Sequence, residues 1–184
     1  MTLPLHRQDL VERIAAGEQF EYFFFWGHTP PKDGSINKSC LSQWYASGFE
    51  VDGVNYRTAE HWMMAGKARL FGDDEMLENI LNAPDPKSAK AFGRKVCDFD
   101  PDRWSSECEE IVRIGSLAKF TQNDDLRDFL LSTGDTILVE AAPRDTIWGI
   151  GLGAQNERAV DPAKWRGRNL LGFVLIDVRE ELRQ

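Results

Sequence analysis

Apolar and polar positions change period several times along the chain, and each change marks an element. Residues 8–16 (QDLVERIAA) suit a short helix that Gly17 can end. Residues 20–26 (FEYFFFW) form a short aromatic run and read as a buried strand, with one or two rings near its end free to line a pocket. Residues 27–38 carry Gly, Pro, Asp and Asn and read as a loop. In GFEVDGVNYRT (48–58), Asp52-Gly53 is the pair that favours a two-residue turn with positive φ, so a hairpin is expected. Thr58 is a good N-cap for a helix running to about Leu70.

Helical spacing continues beyond it. Met76, Leu77, Ile80 and Leu81 recur as on one helix face. Asp85-Pro86 and Asp100-Pro101 each supply an N-cap followed by a first-turn proline. After the second pair, Trp104, Cys108, Ile111, Gly115 and Ala118 fall on one stripe. NDDLRDFLLST is amphipathic and stops at Gly134. Residues 136–141 (TILVEA) read as a strand, 142–169 as a long irregular stretch, and the remainder as a helix with Leu171, Val174, Leu175, Val178 and Leu182 on one face. This order is not a regular βαβ alternation, which argues against a doubly wound sheet. The expected class is α+β: a helix-rich single domain with a small, mostly antiparallel sheet.

Composition narrows the function classes. With 184 residues the chain suits one domain and needs no disulfide or structural metal to hold a core. Its net charge of −8 disfavours long polyanions as partners, while leaving room for a local basic pocket that takes a small anion. The three cysteines are odd in number and form no C-x-x-C pair, which reads as reduced thiols in a reducing compartment, with Cys108 a core filler. No apolar stretch at the N-terminus resembles a signal peptide, and none is long enough to span a membrane. A cytoplasmic protein with no membrane and no obligate protein partner is expected.

Three stretches invite a chemical reading. Gly149-x-Gly151-x-x-Ala154 matches the dinucleotide fingerprint, but it neither follows a strand directly nor opens an apolar helix, so the glycines are better read as letting backbone approach something bulky, a ligand among the choices. Glu60, Met64 and Lys67 share one helix face, with about 10 Å of rise between the two charges at ~1.5 Å per residue. A ligand fits between such groups; a solvated face with two unrelated charges is the plainer alternative. APRDTIWGIG places Asp145 and Trp148 in a loop after a strand, an arrangement common to active sites and to ordinary polar loops. WRGRN (165–169) sets Arg166, Arg168 and Asn169 at a helix start, where backbone N–H groups and guanidiniums can hold phosphate. A basic patch offsetting nearby acids explains it equally well.

Taken in order, FFFWGH, CLSQWYASGFEVDGVNYRTAEHWMMAGKA, RKVCDFDPDRW, LAKF, LVEAAPRDTIWGIG and RGRNLLGFVLIDVREEL resemble the YbiA-like proteins, also called NADAR domains for a proposed link to NAD and ADP-ribose. The resemblance runs from about residue 20 to the C-terminus and leaves residues 1–19 as an N-terminal extension with a short helix. It implies an N-glycosidase that hydrolyses a ribose C1–N bond without a cofactor or metal. Its implied substrates are phosphorylated riboflavin-pathway intermediates or, alternatively, ADP-ribose on guanine bases of nucleic acid. It also implies Glu60, Lys67 and Asp145 as catalytic groups and Trp104 and Trp148 as substrate-binding ones. Arg166 and Asn169 are added from their own residue types. One departure stands out, since many relatives have S-N-F where this chain has Ser42-Gln43-Trp44.

Breaking such a bond passes through an oxocarbenium-like state, which carboxylates stabilise and protonate. A lysine of lowered pKa can instead attack the sugar and form a Schiff base. Two other classes remain: a non-catalytic module sensing NAD or ADP-ribose, and an interaction protein with an exposed apolar patch in place of a site.

Overall fold

A computed structural model describes residues 3–184. In chain order its first elements are α1 (Arg7–Ala15), β1 (Tyr22–Phe25), β2 (Phe49–Val51) and β3 (Val54–Tyr56). Four helices follow: α2 (Ala59–Phe71), α3 (Asp74–Leu81), α4 (Pro86–Gly93) and α5 (Pro101–Gln122). The chain ends with α6 (Asp124–Ser132), β4 (Ile137–Glu140) and α7 (Leu170–Leu182). The helix-rich α+β class holds. Among the described residues the strands form two separate pairs, β1 with β4 in parallel and β2 with β3 antiparallel. The tight turn forces the second pair to be antiparallel. The first joins strands far apart in the chain, so no turn fixes its sense. The chain forms two compact units: Gln43–Asp124, and the segments up to Ser42 and from Asp125 onward.

In Gln43–Asp124 the local signals set the elements. Asp52 (φ 51°) and Gly53 (φ 76°) make the turn between β2 and β3. Thr58 caps α2, and Gly72 ends it in the left-handed region at φ 70°. Asp85 and Asp100 cap α4 and α5, each ahead of a proline. α2 is the central helix, with α3, α4 and α5 packed on it and most of its surface buried. The interior stripe of α5 differs from the expected one. Cys108, Val112, Gly115, Ser116, Lys119 and Phe120 are buried, while Trp104, Ile111 and Ala118 are only half-buried. An apolar count could not find Ser116 and Lys119 inside.

His61 is buried near the start of α2. Its Nε2 lies 3.1 Å from the Ala83 carbonyl, which can only accept, so Nε2 carries the proton and Nδ1 accepts from the Thr58 hydroxyl at 2.7 Å. Burial pushes its pKa below the ordinary imidazole value, with the Ala83 bond pulling the other way.

The other unit is built on β1 and β4. Tyr22, Phe23, Phe24 and Phe25 pair with Ile137, Leu138, Val139 and Glu140. Toward β1, Ile137 N–H donates to Glu21 and Ala141 N–H to Phe25. That leaves β4 an outer edge, the Leu138 carbonyl and the Glu140 N–H, and the Asn169 side chain closes it. Its Oδ1 accepts from Glu140 N–H at 2.9 Å and its Nδ2 donates to Leu138 at 2.9 Å. α7 begins at the next residue and packs on β4. Arg179, fully buried on α7, donates to Thr133 Oγ1 and the Thr136 carbonyl at the entry to β4. α1 is docked as well: Leu10 is buried, and Arg7 donates to the carbonyls of Pro162 and Ala163.

Two outcomes are expected. Asn169→Ala strands a buried carbonyl and a buried amide, each worth about 1–3 kcal/mol when unpaired, so urea unfolding should show a loss of about 2–6 kcal/mol. His61 has a lowered folded pKa, so its contribution is complete above the unfolded value of about 6.5 and is lost as pH falls. The urea midpoint should therefore drop between pH 7.5 and 5.5, and by less in His61→Gln.

Candidate functional site

In the unit Gln43–Asp124, the face of α2 that carries Glu60, Met64 and Lys67 is its contact with α4. Glu60 is 2% exposed, and its Oε1 lies 3.7 Å from Lys90 Nζ. Met64 lies so close to Gly93 that any Cβ there would collide with its sulfur. Lys67 Nζ donates to the Gly93 carbonyl at 2.9 Å. The interval between Glu60 and Lys67, read from sequence as room for a ligand, is thus occupied by Met64 against Gly93. The Glu60 N–H donates to the Gln43 carbonyl at 2.9 Å, so the position that departs from S-N-F is a buried one that holds the start of α2.

Lys67 and Trp104 lie close together. The Lys67 ammonium lies 3.9 Å from the Phe99 ring centroid and 5.9 Å from that of Trp104. Phe71 meets Phe99 edge-on at 5.4 Å, and Arg103 lies 5.7 Å over Phe71. Ring faces and a carbonyl favour the charged amine, yet burial prevails and lowers the Lys67 pKa. Phe99 is 41% exposed, a large ring left at the surface beside that amine. Sequence reading missed Phe99 and Lys90. Phe99 sits between Asp98 and Asp100 in a turn, where no periodicity marks it. Lys90 had one usable signal, its i, i+3 spacing to Gly93 on α4.

In the other unit, Asp145 organises its own loop. Its Oδ1 accepts from the N–H groups of Ile147 (2.9 Å), Trp148 (2.8 Å) and Gly149 (3.4 Å). Oδ2 takes part in none of these bonds. Trp148 is half-buried and Arg166 is exposed. The motif glycines do approach something bulky, but it is the chain itself: a Cβ at Gly149 would come 2.9 Å from Ala142 Cβ and the Glu140 carbonyl, and one at Gly151 2.9 Å from Arg166 Cβ. A Cβ at Gly167 would overlap the Gly149 carbonyl and come 2.8 Å from Thr146 Cα. Across this crossing the Ile150 carbonyl accepts from Arg166 (3.0 Å) and Gly167 (2.9 Å). Gly149–Ala154 opens no α-helix, only short 3-10 turns at Glu157–Val160 and Pro162–Lys164 coming before α7, consistent with rejecting the dinucleotide reading.

Two ligand roles need correction here. Asn169, expected to touch substrate, is fully buried with its amide engaged on the edge of β4. The start of α7, expected to offer amides to phosphate, has the N–H groups of Leu170 and Leu171 already bonded to the carbonyls of Ile147 (3.3 Å) and Trp148 (3.1 Å). Of the basic stretch 165–169, Arg166 and Arg168 are exposed.

Comparison with known proteins agrees with this architecture. The chain matches the NADAR domain family model over residues 24–183. It is 41% identical over 172 residues to an N-glycosidase of Acanthamoeba polyphaga mimivirus, covering 91% of this chain and 99% of that protein. It is 32% identical over 148 residues to a riboflavin biosynthesis protein of Vibrio vulnificus, covering 80% of this chain and 36% of that protein. The NMR structure of Escherichia coli YbiA superposes with a TM-score of 0.71 at 29% identity, covering 98% of this chain and 94% of that one. Among the described residues no helix is long and apolar enough to cross a membrane. The chain belongs to the NADAR domain family and falls among its N-glycosidases.

Proposed function

We propose that the chain hydrolyses the ribose C1–N bond of a small phosphorylated, nucleotide-like substrate of the riboflavin-intermediate kind, with Lys67 as the reacting amine. One observation carries the reading: a lysine of lowered pKa is held by a backbone carbonyl between two aromatic rings, one of them partly exposed. Burial favours the neutral form of Lys67, the form that attacks. Trp104 stands beside the amine, where a leaving base can stack. The name of the Vibrio vulnificus relative supports the substrate class. The net charge of −8 supports a small anion over a long polyanion. Glu60 is held inside α2 and α4, facing Lys90. Asp145, Trp148 and Arg166 enter the proposal through the family resemblance.

In this reading the Lys67 nitrogen lone pair forms a bond to C1 while the C1–N bond breaks. The electron pair leaves with the base, which takes up a proton. Opening of the ribose ring gives a Schiff base, and water hydrolyses it to free the sugar phosphate and restore the amine. Direct attack by water beside a carboxylate would form no such adduct.

Incubation with candidate nucleotides should release free base, seen by mass spectrometry, and borohydride during turnover should add a sugar-phosphate-sized mass at Lys67. Lys67→Ala should lose about 100- to 10,000-fold in rate and escape trapping. A near-normal rate in Lys67→Ala removes Lys67 from the chemistry. Release of ADP-ribose from modified guanine, with no turnover of pathway intermediates, replaces the substrate class and leaves Lys67 standing.

Asp145 is testable without disturbing its loop. Asp145→Asn keeps the oxygen that receives three N–H groups and removes the charge. Its activity should fall with melting temperature unchanged, whereas Asp145→Ala should lose both. Full activity in Asp145→Asn restricts Asp145 to building the loop.

A further inference from the structure

A cavity lies in the unit built on β1 and β4. Because these strands are parallel, their carboxyl ends emerge side by side, the position where ligands bind in parallel sheets. A cavity of about 300 Å³ opens there, lined among others by Phe24, Trp26, Lys38, Pro143, Gln155 and Asn156. That volume is at the lower end for small-molecule sites. None of Glu60, Lys67 and Asp145 lines it.

Its lining combines two recognition elements. The first is aromatic. Phe25, at the end of β1, is 1% exposed, but the next residue, Trp26, holds its indole 62% exposed at the cavity. An indole presented in this way offers a face on which a flat ring can stack. The second is cationic. Lys38 makes no hydrogen bond or ion pair among the described residues, although acids outnumber bases 30 to 22 along the chain. An exposed ammonium beside an apolar pocket complements an anion attached to an apolar or aromatic body. Gln155 adds an amide to the lining, and Asn156, whose Oδ1 accepts from the Arg158 N–H at 3.0 Å, adds its NH2 group.

We propose that this cavity is a binding site for a flat heteroaromatic ring carrying phosphate, with the ring on Trp26 and the phosphate on Lys38. The site stands independently of the role given to Lys67.

The test is calorimetric titration of the full chain with adenosine 5′-monophosphate, adenosine and inorganic phosphate as probes. The nucleotide should bind more tightly than either part. Trp26→Ala should weaken the nucleotide and adenosine at least tenfold. Lys38→Ala should weaken the nucleotide about tenfold and change adenosine less than twofold. Both side chains are exposed, so unchanged melting temperatures are expected and confirm that the variants fold. Lys67→Ala should bind the nucleotide as the unaltered chain does. No nucleotide binding at millimolar concentration overturns the proposal, as does unchanged affinity in either Trp26→Ala or Lys38→Ala. Loss of binding in Lys67→Ala alone assigns the nucleotide to the Lys67 site and also overturns it.

Discussion

A two-stranded sheet leaves backbone groups unpaired along its outer edges, and in the interior of a protein those groups must find partners. The unit built on β1 and β4 answers this with one side chain. The amide of Asn169 presents one acceptor and one donor to β4, as a neighbouring strand would. To do so Asn169 takes the left-handed conformation at φ 59°, which Asn tolerates better than most residues, and it makes no side-chain cap on its own helix. The start of α7 must then find other partners, and the carbonyls of 147–149 supply them. Gly167 allows the two segments to lie backbone against backbone. The irregular stretch after β4 is therefore an ordered crossing whose shape follows from closing one strand edge.

A comparable constraint acts in Gln43–Asp124. Helices α2 and α4 approach closely because Gly93 has no side chain to oppose Met64. That approach brings a helix carbonyl within reach of the Lys67 amine and sets Lys90 opposite Glu60. Lys67 is consequently caught between opposing effects. The carbonyl and the Phe99 face favour its charge, and removal from water disfavours it. The balance lies with burial, which turns an ordinary cation into a candidate nucleophile.

Much of the fold was legible because its determinants are local. Asp52-Gly53, Thr58, Asp85-Pro86, Asp100-Pro101 and Gly134 act within a few residues of themselves, and each marks a boundary near the observed one. The ring at the end of the aromatic run was rightly left for a pocket lining. The parallel sense of β1 and β4 was not legible, since it depends on everything between them. Nor was the role of Asn169, whose residue type suits a helix start, a phosphate and a strand edge equally well. The lining of the Lys67 amine was half legible. Trp104 came through the family resemblance, but Phe99 and the Gly93 carbonyl carry no chemical signature of their own.

The claim on which the account rests is that folding lowers the proton affinity of the Lys67 amine. Titration of lysine side chains in the intact, isotopically labelled protein, followed by NMR at Nζ and assigned with Lys67→Arg, measures this directly. The account predicts that Lys67 loses its proton below the ordinary lysine value of about 10.4. Titration of Lys67 at or above that ordinary value would contradict the account.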